Sequence, residues 1–298
     1  MVHVASGAVA RRSPVGPTWP VPSVPWSGWT GYVCRVTVDQ QEEVAVNGSG
    51  AIVTIRINRP EARNAMNVAV MAGIGFGLLH AESDEQVRAV VLTGTGDRAF
   101  CAGMDLRAFV EDDLTSGDDQ KAGMEAFSVF IRGGFSTPVI GAANATAVAG
   151  GFELLMACDL IVASEDARFG IPEAKRGLFA AGGGVFLPRR IPLAIALELG
   201  MTGDMIDAGR ASELGLVNRV VPRGDVLRTA VELAERIAAN GPLGVQATRR
   251  LMRAAASMTD EELWALQSEI QPGVFASEDA KEGARAFVEK RAPVWTGR

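Results

Sequence analysis

Two glutamates stand in sequence surroundings where a carboxylate is costly to bury. Glu153 is the only charged residue between positions 148 and 158. A short buried helix is predicted within this run, over residues 152–157. Glu173 follows Pro172, whose fixed backbone sets the direction of the next side chain. Burial favours the neutral form of a carboxyl group and moves its pKa toward neutrality, where the group both accepts and donates protons. Two such groups facing one pocket would form an acid/base pair.

Each glutamate also has a structural interpretation. A single Glu in an apolar run is usually a helix-end group or one partner of a buried ion pair. Gly150 and Gly151 favour the catalytic interpretation, because glycines just ahead of a helix let a ligand approach the free N–H groups at its positive end. A second glycine run, residues 182–184, suggests another helix N-terminus near a ligand, but a packing constraint would require it equally.

A possible dinucleotide-binding pattern follows the predicted strand at residues 88–93. Gly94, Gly96 and Ala99 match GxGxxA, which is typical of nicotinamide-dependent dehydrogenases. Such a site needs a helix that begins on the glycines, whereas here the chain runs on into another glycine, Gly103. The sequence therefore argues against a dehydrogenase.

Composition and charge argue against several classes of protein. The chain has 298 residues, 48% of them hydrophobic, and its 29 Lys plus Arg against 35 Asp plus Glu give a net charge of −6. An acidic chain is not expected to bind nucleic acid or an anionic membrane, and no apolar run approaches membrane-spanning length. The three cysteines have neither paired nor metal-site spacing, so a soluble cytoplasmic protein is expected. Two histidines leave histidine-based triads and most zinc sites with at most one plausible imidazole.

Strands and helices are predicted to alternate in the first part of the chain. Apolar and β-branched runs predict strands at residues 51–58, 88–93, 138–142 and 160–163. Helices are predicted from the N-cap Asn67 to about residue 81, and from the end of a polar loop, 112–120, to about residue 133. Glycines at 73, 75 and 77 in the first of these helices predict close packing against a neighbour. The alternation indicates βαβ units and a largely parallel sheet.

Three regions are expected along the chain. Residues 1–45 hold five of the fourteen prolines and three of the five tryptophans without periodicity, which is typical of a disordered or loosely docked extension. Residues 46–190 are expected to form an α/β core with the active site. Residues 191–298 are predicted to contain helices alone, at 193–200, 208–214, 226–239, 244–255, 260–268 and 278–291. Thr259 and Ser277 are predicted N-caps of the last two.

Four motifs in order carry a family resemblance. They are INRPEARNAMN at residues 57–67, FCAGMDL at 100–106, AGGFELLMACD at 149–159 and FGIPEAKRG at 169–177. From about Val44 to the C-terminus the chain closely resembles the crotonase, or enoyl-CoA hydratase/isomerase, superfamily. The resemblance implies an α/β fold of the ClpP/crotonase type, a spiral of ββα units with a C-terminal helical oligomerisation region. It also implies a homotrimer or a dimer of trimers.

The resemblance further implies roles for individual residues. The backbone N–H groups of Met104 and Gly150 match the two oxyanion-hole donors that bind the thioester oxygen, and Glu153 and Glu173 match the two glutamates that hold a water between them. Residues that match the binding positions for coenzyme A are Arg63, Ala102, Asp105, Leu106, Arg107, Phe287 and Lys290. No metal and no separate cofactor is implied, because coenzyme A is part of the substrate.

The implied reaction is syn addition of water to a 2-enoyl-CoA thioester, which gives a 3-hydroxyacyl-CoA in fatty-acid or related acyl-CoA catabolism. Within the superfamily the alternatives are enoyl-CoA isomerisation and hydroxycinnamoyl-CoA hydration with retro-aldol cleavage, since one scaffold serves many reactions. A non-catalytic acyl-CoA-binding protein is a further alternative from another class. Retention of both glutamates favours hydration over all three.

Overall fold

The computed structural model describes residues 42–110 and 117–298. Residues 1–41 of the expected N-terminal extension (1–45) lie outside these ranges. Most of the predicted polar loop at 112–120 also lies outside them. Within the two ranges, every helix is too short or too polar to cross a membrane.

Nine strands and ten α-helices lie within the described ranges. The strands are β1 (Val44–Ser49), β2 (Ile52–Ile57), β3 (Ala89–Gly94), β4 (Val139–Ala143), β5 (Ala147–Val148), β6 (Leu160–Ser164), β7 (Arg168–Gly170), β8 (Ile206–Asp207) and β9 (Arg219–Val221). The α-helices are α1 (Val68–Ser83), α2 (Leu106–Val110), α3 (Lys121–Ile131), α4 (Gly150–Ala157), α5 (Leu193–Thr202), α6 (Ala208–Glu213), α7 (Val226–Ala238), α8 (Pro242–Ala255), α9 (Asp260–Phe275) and α10 (Glu278–Glu289). Connections contain short 3-10 helices at Pro60–Ala62, Pro172–Arg176, Gly184–Arg189 and Arg223–Asp225.

Six strands form the central sheet in the order β1-β2-β3-β4-β6-β9. β1 and β2 form an antiparallel hairpin, and every later pairing in this sheet is parallel. Every residue of β3 and β4 is buried, as expected for parallel strands that are covered on both faces. The prediction of βαβ units around a largely parallel sheet is confirmed.

A second, three-stranded sheet of β5, β7 and β8 brings the two glutamate motifs together. β5 and β7 run parallel, with Val148 opposite Gly170. The N–H of Ala149 donates to the carbonyl of Gly170 at 2.9 Å. The segment that leads to Glu153 therefore lies beside the segment that leads to Glu173.

The glycines of α1 allow the close packing that the sequence predicts. A Cβ atom on Gly75 would lie 1.8 Å from the carbonyl oxygen of Gly123 in α3, so the two helix backbones are in direct contact. Asn67 caps α1 by accepting a hydrogen bond from the N–H of Val70 at 2.9 Å. Glycine at position 75 is thus required by the packing of α1 on α3.

The C-terminal region contains strands as well as helices, so the expectation of helices alone is wrong there. β9 pairs in parallel with β6 at the edge of the central sheet, and β8 pairs with β7. Segments of two or three residues are too short to show an alternating pattern, which is why the sequence does not predict them.

The six predicted C-terminal helices are all present, and their N-caps are confirmed for α9 and α10. Thr259 forms a capping box with Glu262, and Ser277 accepts from the N–H of Ala280. α7 packs against the central sheet through small and apolar residues spaced along one face, Val226, Ala230 and Ala234. A separate helical region beyond residue 190 stays a prediction.

Candidate active site

The helix that carries Glu153 begins at a tightly packed and strained turn. Ala149, its N-cap, has φ 52° and ψ −133°, a conformation that costs about 1–3 kcal/mol for a residue with a side chain. A Cβ atom on Gly151 would lie 2.1 Å from the carbonyl oxygen of Cys101, so the first turn of α4 is pressed against that segment. This packing places the N-terminus of α4 beside Gly103 and Met104.

Two backbone N–H groups at this junction have no acceptor among the residues that the structure describes. Met104 forms a parallel bridge with Met66, in which the N–H of Met66 donates to Gly103 at 2.7 Å and the N–H of Asp105 donates to Met66 at 2.8 Å. In such a bridge the N–H of the central residue points away from its partner. Within the described residues neither Met104 nor Gly150 donates its N–H to a protein acceptor. The Met104 nitrogen would lie 3.7 Å from a Cβ atom on Gly150, so the two free donors are neighbours.

Glu153 is held by the glycine loop at residues 182–184. Its side chain is buried, with 6% of its surface exposed, and its Oε1 accepts a 2.8 Å hydrogen bond from the N–H of Gly184. A Cβ atom on Gly182 would lie 2.6 Å from Oε2, and one on Gly184 would lie 3.0 Å from Oε1. Of the two interpretations of this glycine run, the structure supports close packing, and the packed group is the carboxylate itself.

Glu173 lies in the 3-10 helix that follows β7 and is half-buried. Its Oε2 is buried and has no hydrogen-bond partner among the described residues. A buried acceptor without a donor is costly unless water or a ligand supplies one. This oxygen is therefore a candidate contact for a bound molecule.

Burial raises the pKa of both carboxyl groups, and the charge of Glu173 raises that of Glu153 further. Burial raises the pKa of Glu153, the N–H groups of Gly184 and Gly182 oppose the rise, and the charge of Glu173 adds to it. Burial also raises the pKa of Glu173, against the opposing effect of its own backbone N–H and of the Arg176 charge. Both groups are therefore better suited to proton transfer near neutrality than an exposed glutamate.

Arg63 and Ala102, two of the residues predicted to bind coenzyme A, are in direct contact. Arg63 is exposed in a left-handed conformation, φ 53°, and its carbonyl accepts a 3.1 Å hydrogen bond from the N–H of Ala102. The next residue, Asn64, is fully buried and its amide donates to the carbonyls of Thr95 and Ala99. Asn64 thus fixes the loop at 94–100 against the Arg63 turn, a structural role that the sequence does not reveal.

Asp105 is engaged by protein groups rather than free. Its carboxylate lies 3.2 Å from the Arg59 guanidinium and accepts a 3.1 Å hydrogen bond from the N–H of Arg107. Burial alone would raise the pKa of Asp105, but these hydrogen bonds and the Arg59 charge hold it below its ordinary value. Leu106 and Arg107 are exposed in the first turn of α2. Contact of these residues with coenzyme A stays a prediction.

Phe287 and Lys290 lie in and just after α10 and are both exposed, Phe287 to 85%. The contacts that fix α10 come from the C-terminal tail, where the N–H groups of Thr296 and Gly297 donate to the buried Asp279 carboxylate at 2.7 and 2.9 Å. The roles predicted for Phe287 and Lys290 require a neighbouring subunit and stay a prediction.

The discounted GxGxxA pattern has a different role. Gly94 is required because a Cβ atom there would lie 2.4 Å from the carbonyl oxygen of Phe100. No helix begins on Gly94 or Gly96 in the structure as described. The pattern therefore forms a packed turn without the helix N-terminus that a dinucleotide site needs.

A cavity of about 510 Å³ opens beside the 3-10 helix of Glu173. Its lining residues are Val148, Arg168, Pro172, Lys175, Arg176, Gly203, Asp204 and Met205. Neither glutamate and neither free N–H group lines it, so this cavity is distinct from the site built around Glu153.

Comparison with known proteins gives a consistent result. A sequence model of the enoyl-CoA hydratase/isomerase family matches residues 47–298. The enoyl-CoA hydratase EchA19 of Mycobacterium tuberculosis is 41% identical over 267 residues, which cover 88% of this chain and 99% of the relative. The carnitinyl-CoA dehydratase of Salmonella typhi is 38% identical over 262 residues, which cover 86% of this chain and 99% of the relative.

Solved structures are similar over the same region. A crystal structure of an enoyl-CoA hydratase from Mycobacterium tuberculosis H37Rv matches with a TM-score of 0.80 and 46% identity, and covers 87% of this chain and 100% of that one. The enoyl-CoA hydratase EchA1 from Mycobacterium marinum matches with a TM-score of 0.80 and 44% identity, at 87% and 100% coverage.

Proposed function

The chain belongs to the enoyl-CoA hydratase/isomerase family and has the crotonase fold, and on that premise we propose that it is an enoyl-CoA hydratase. The observation that carries the proposal is the pair Glu153 and Glu173, two buried or half-buried carboxyl groups with raised pKa on segments that pair at Val148 and Gly170. Glu153 lies in the helix that begins at Gly150, whose N–H has no acceptor among the described residues. The names of its relatives, a hydratase and a dehydratase, describe addition and removal of water.

In the proposed reaction the thioester oxygen of a 2-enoyl-CoA accepts hydrogen bonds from the N–H groups of Met104 and Gly150. Attack of water on C3 moves negative charge onto that oxygen, as an enolate. Two fixed donors stabilise the enolate more than the neutral thioester, and one such donor is typically worth about 3–4 kcal/mol in the transition state. The gain is available because neither donor is used by a protein acceptor among the described residues.

The two glutamates divide the proton transfers. The N–H of Gly184 favours the ionised form of Glu153, which accepts a proton from water as the new C3–O bond forms. Glu173, whose Oε2 has no donor from the described protein, is the better candidate for the neutral acid and donates its proton to C2. Once Glu173 is ionised, its charge raises the pKa of Glu153 and favours the proton that Glu153 has accepted. Proton exchange between the two groups restores the starting state, and the sum is addition of one water to one face of the double bond.

Absorbance of the enoyl thioester provides the direct test. Crotonyl-CoA added to the purified protein, without any cofactor, is expected to lose its conjugated absorbance, and the double variant Glu153→Gln/Glu173→Gln is expected to lose this activity. Conversion of a 3-enoyl-CoA without hydration of crotonyl-CoA would identify an isomerase instead. Binding of acyl-CoA with neither reaction would identify a non-catalytic binding protein.

We also propose that the protein assembles as a homotrimer or a dimer of trimers through its C-terminal helices and acts in the cytoplasm. The support for assembly is a set of large apolar side chains that are exposed on α8, α9 and α10, namely Met252, Trp264, Phe275, Phe287 and Val288. Sedimentation of the purified protein measures the assembly directly.

A further inference from the structure

The last turn of α4 is held from outside the helix by two arginines. Arg190 donates through Nη1 to the carbonyl of Met156 at 3.0 Å, and Arg253 donates through Nη2 to the carbonyl of Ala157 at 2.7 Å. The last carbonyls of a helix have no partner within it, and the negative end of the helix dipole favours cations. Both arginines therefore bind α4 where an external donor is needed.

Arg253 is itself fixed by a partly buried carboxylate. Its Nε lies 2.6 Å from Oδ1 of Asp159, and the Nε of Arg249 lies 2.9 and 2.8 Å from the two oxygens of the same group. The N–H of Val139 donates to Oδ2 at 2.8 Å. Asp159 thus connects two arginines of α8 to the segment just beyond α4, and its side chain is only 16% exposed.

Arg190 is connected to Glu153 by a second route. It directly follows the 3-10 helix Gly184–Arg189, whose first residue donates its N–H to the Glu153 carboxylate. The segment 184–190 therefore contacts α4 twice: Gly184 at its start binds Glu153, and Arg190 at its end binds Met156. The two contact points on α4 are about one helical turn apart.

α4 has eight residues, and a helix of that length is not stable by itself in water. Its buried side chains, such as Phe152 and Leu155, hold it in the core, and contacts at its two ends fix its position further. The N-terminal end is packed against Cys101, and the C-terminal end is held by Arg190 and Arg253. Glu153 lies about one turn before Met156 in the same helix, so a shift of the C-terminal end is expected to move Glu153 relative to Gly184.

We propose that Arg190 and Arg253 are positioning residues for Glu153, which act by fixing the C-terminal end of α4 and so keep the Glu153 carboxylate on the Gly184 N–H. The proposal deepens the proposed hydratase function and rests on it. Neither arginine is assigned a contact with substrate. The chemical consequence is specific, because loss of the Gly184 hydrogen bond disfavours the ionised form of Glu153.

The test compares Arg253→Met with Arg250→Met in the same helix, and adds Arg190→Met. Arg250 is 54% exposed and lies 3.9 Å from Glu269, so its replacement serves as the matched control. At a temperature well below unfolding, kcat for crotonyl-CoA is expected to fall about tenfold or more in Arg253→Met and Arg190→Met, with KM within about twofold. The acid limb of the pH profile of kcat/KM is expected to move up by about 0.5 unit or more in both. Arg250→Met is expected to match the wild type in all three quantities.

The pH profile separates positioning from a purely structural role, because a smaller folded fraction lowers kcat without moving the profile. A folded Met variant with kcat within about twofold of wild type and an unmoved profile would overturn the inference for that arginine. If a Met variant does not fold, the Lys variant is judged by the same criteria, since Lys keeps the charge but loses the planar donor fork. An inactive wild type would instead overturn the proposed function.

Discussion

The backbone N–H of Gly184 donates a 2.8 Å hydrogen bond to the carboxylate of Glu153, across 31 positions of sequence. The donor belongs to a glycine-rich loop and the acceptor to α4, so the direction of the carboxylate depends on two separate elements. Gly182 also leaves room for the same group, because a Cβ atom there would lie 2.6 Å from Oε2. The position of the Glu153 carboxylate is therefore set by the loop as much as by the helix.

Gly182→Ala is expected to lower kcat for crotonyl-CoA by about tenfold or more, because the new methyl group would displace the Glu153 carboxylate. Gly200→Ala is the matched control, since a Cβ atom on Gly200 would meet only the Ile171 side chain at 3.5 Å, an ordinary contact. Steady-state kinetics of both variants measure the effect. Wild-type kcat in a folded Gly182→Ala protein would mean that the loop does not set the position of Glu153.

Glu153→Gln and Glu173→Gln are each expected to lower kcat for crotonyl-CoA by about 10²–10⁴-fold, because each removes one proton-transfer group and keeps its shape. Acyl-CoA binding is expected to be nearly unchanged, since the proposed oxyanion donors are backbone groups. The two losses should not add in the double variant, because both carboxylates act on one water. Near-normal turnover of Glu153→Gln would favour a one-base reaction such as isomerisation, to be tested with a 3-enoyl-CoA.

The longer elements and the candidate glutamates are predicted from the sequence, whereas the short strands and the contacts that orient the glutamates are not. β3 and α4 are predicted within one or two residues, because a long apolar run and a glycine pair are local signals. The Gly184 contact and the Asp159 cluster join segments far apart in the chain, and no local pattern encodes such a partner. For the Asp159 cluster the sequence offers one weak signal. Asp159 follows a buried helix, and a buried carboxylate there requires a cation as its partner.

Glu153→Gln is expected to raise the melting temperature at pH 8. Burial raises the pKa of Glu153 in the folded protein, so the folded state binds more protons than the unfolded state between the two pKa values. The stability of the wild type therefore falls as the pH rises through the folded pKa, and the Gln variant has no such loss. The difference in melting temperature should shrink toward pH 4.5, which is near the unfolded pKa.

The exposed Glu125 on α3 supplies the control for that measurement. Glu125→Gln is expected to leave the melting temperature unchanged at both pH values, since surface substitutions are usually within about 0.5 kcal/mol. A Glu153→Gln protein that is less stable than wild type at pH 8 would mean that the charged carboxylate is stabilised in the fold.

Removal of residues 278–298 is expected to lower the oligomeric state or raise the KM for crotonyl-CoA. The deletion takes away α10, which presents the exposed Phe287 and Val288, and the tail that holds it through Asp279. It also removes the hydrogen bond from the Trp295 indole to the carbonyl of Ala239, at 2.8 Å. Sedimentation and steady-state kinetics measure the two effects, and a truncated protein unchanged in both would contradict the expectation.

Removal of residues 1–40 is expected to leave activity and oligomeric state intact, because the resemblance to the family begins at about Val44, where β1 also starts. The sharper comparison is with a truncation that also removes Glu43. The carbonyl of Glu43 accepts a hydrogen bond from the N–H of Asn58 at 2.7 Å, and its carboxylate lies 3.0 Å from the Arg59 guanidinium.

Arg59 in turn pairs with Asp105, the residue after the proposed donor Met104, so Glu43 supports one side of the oxyanion site through a chain of two ion pairs. We therefore expect the truncation of residues 1–43 to lower kcat several-fold, about 1 kcal/mol in the barrier, while the truncation of 1–40 matches the full chain. Kinetics with crotonyl-CoA on the two truncated proteins measure the difference. Equal activity in the two truncated proteins would mean that Arg59 holds Asp105 without Glu43. Loss of activity on removal of residues 1–40 would mean that those residues contribute to the site.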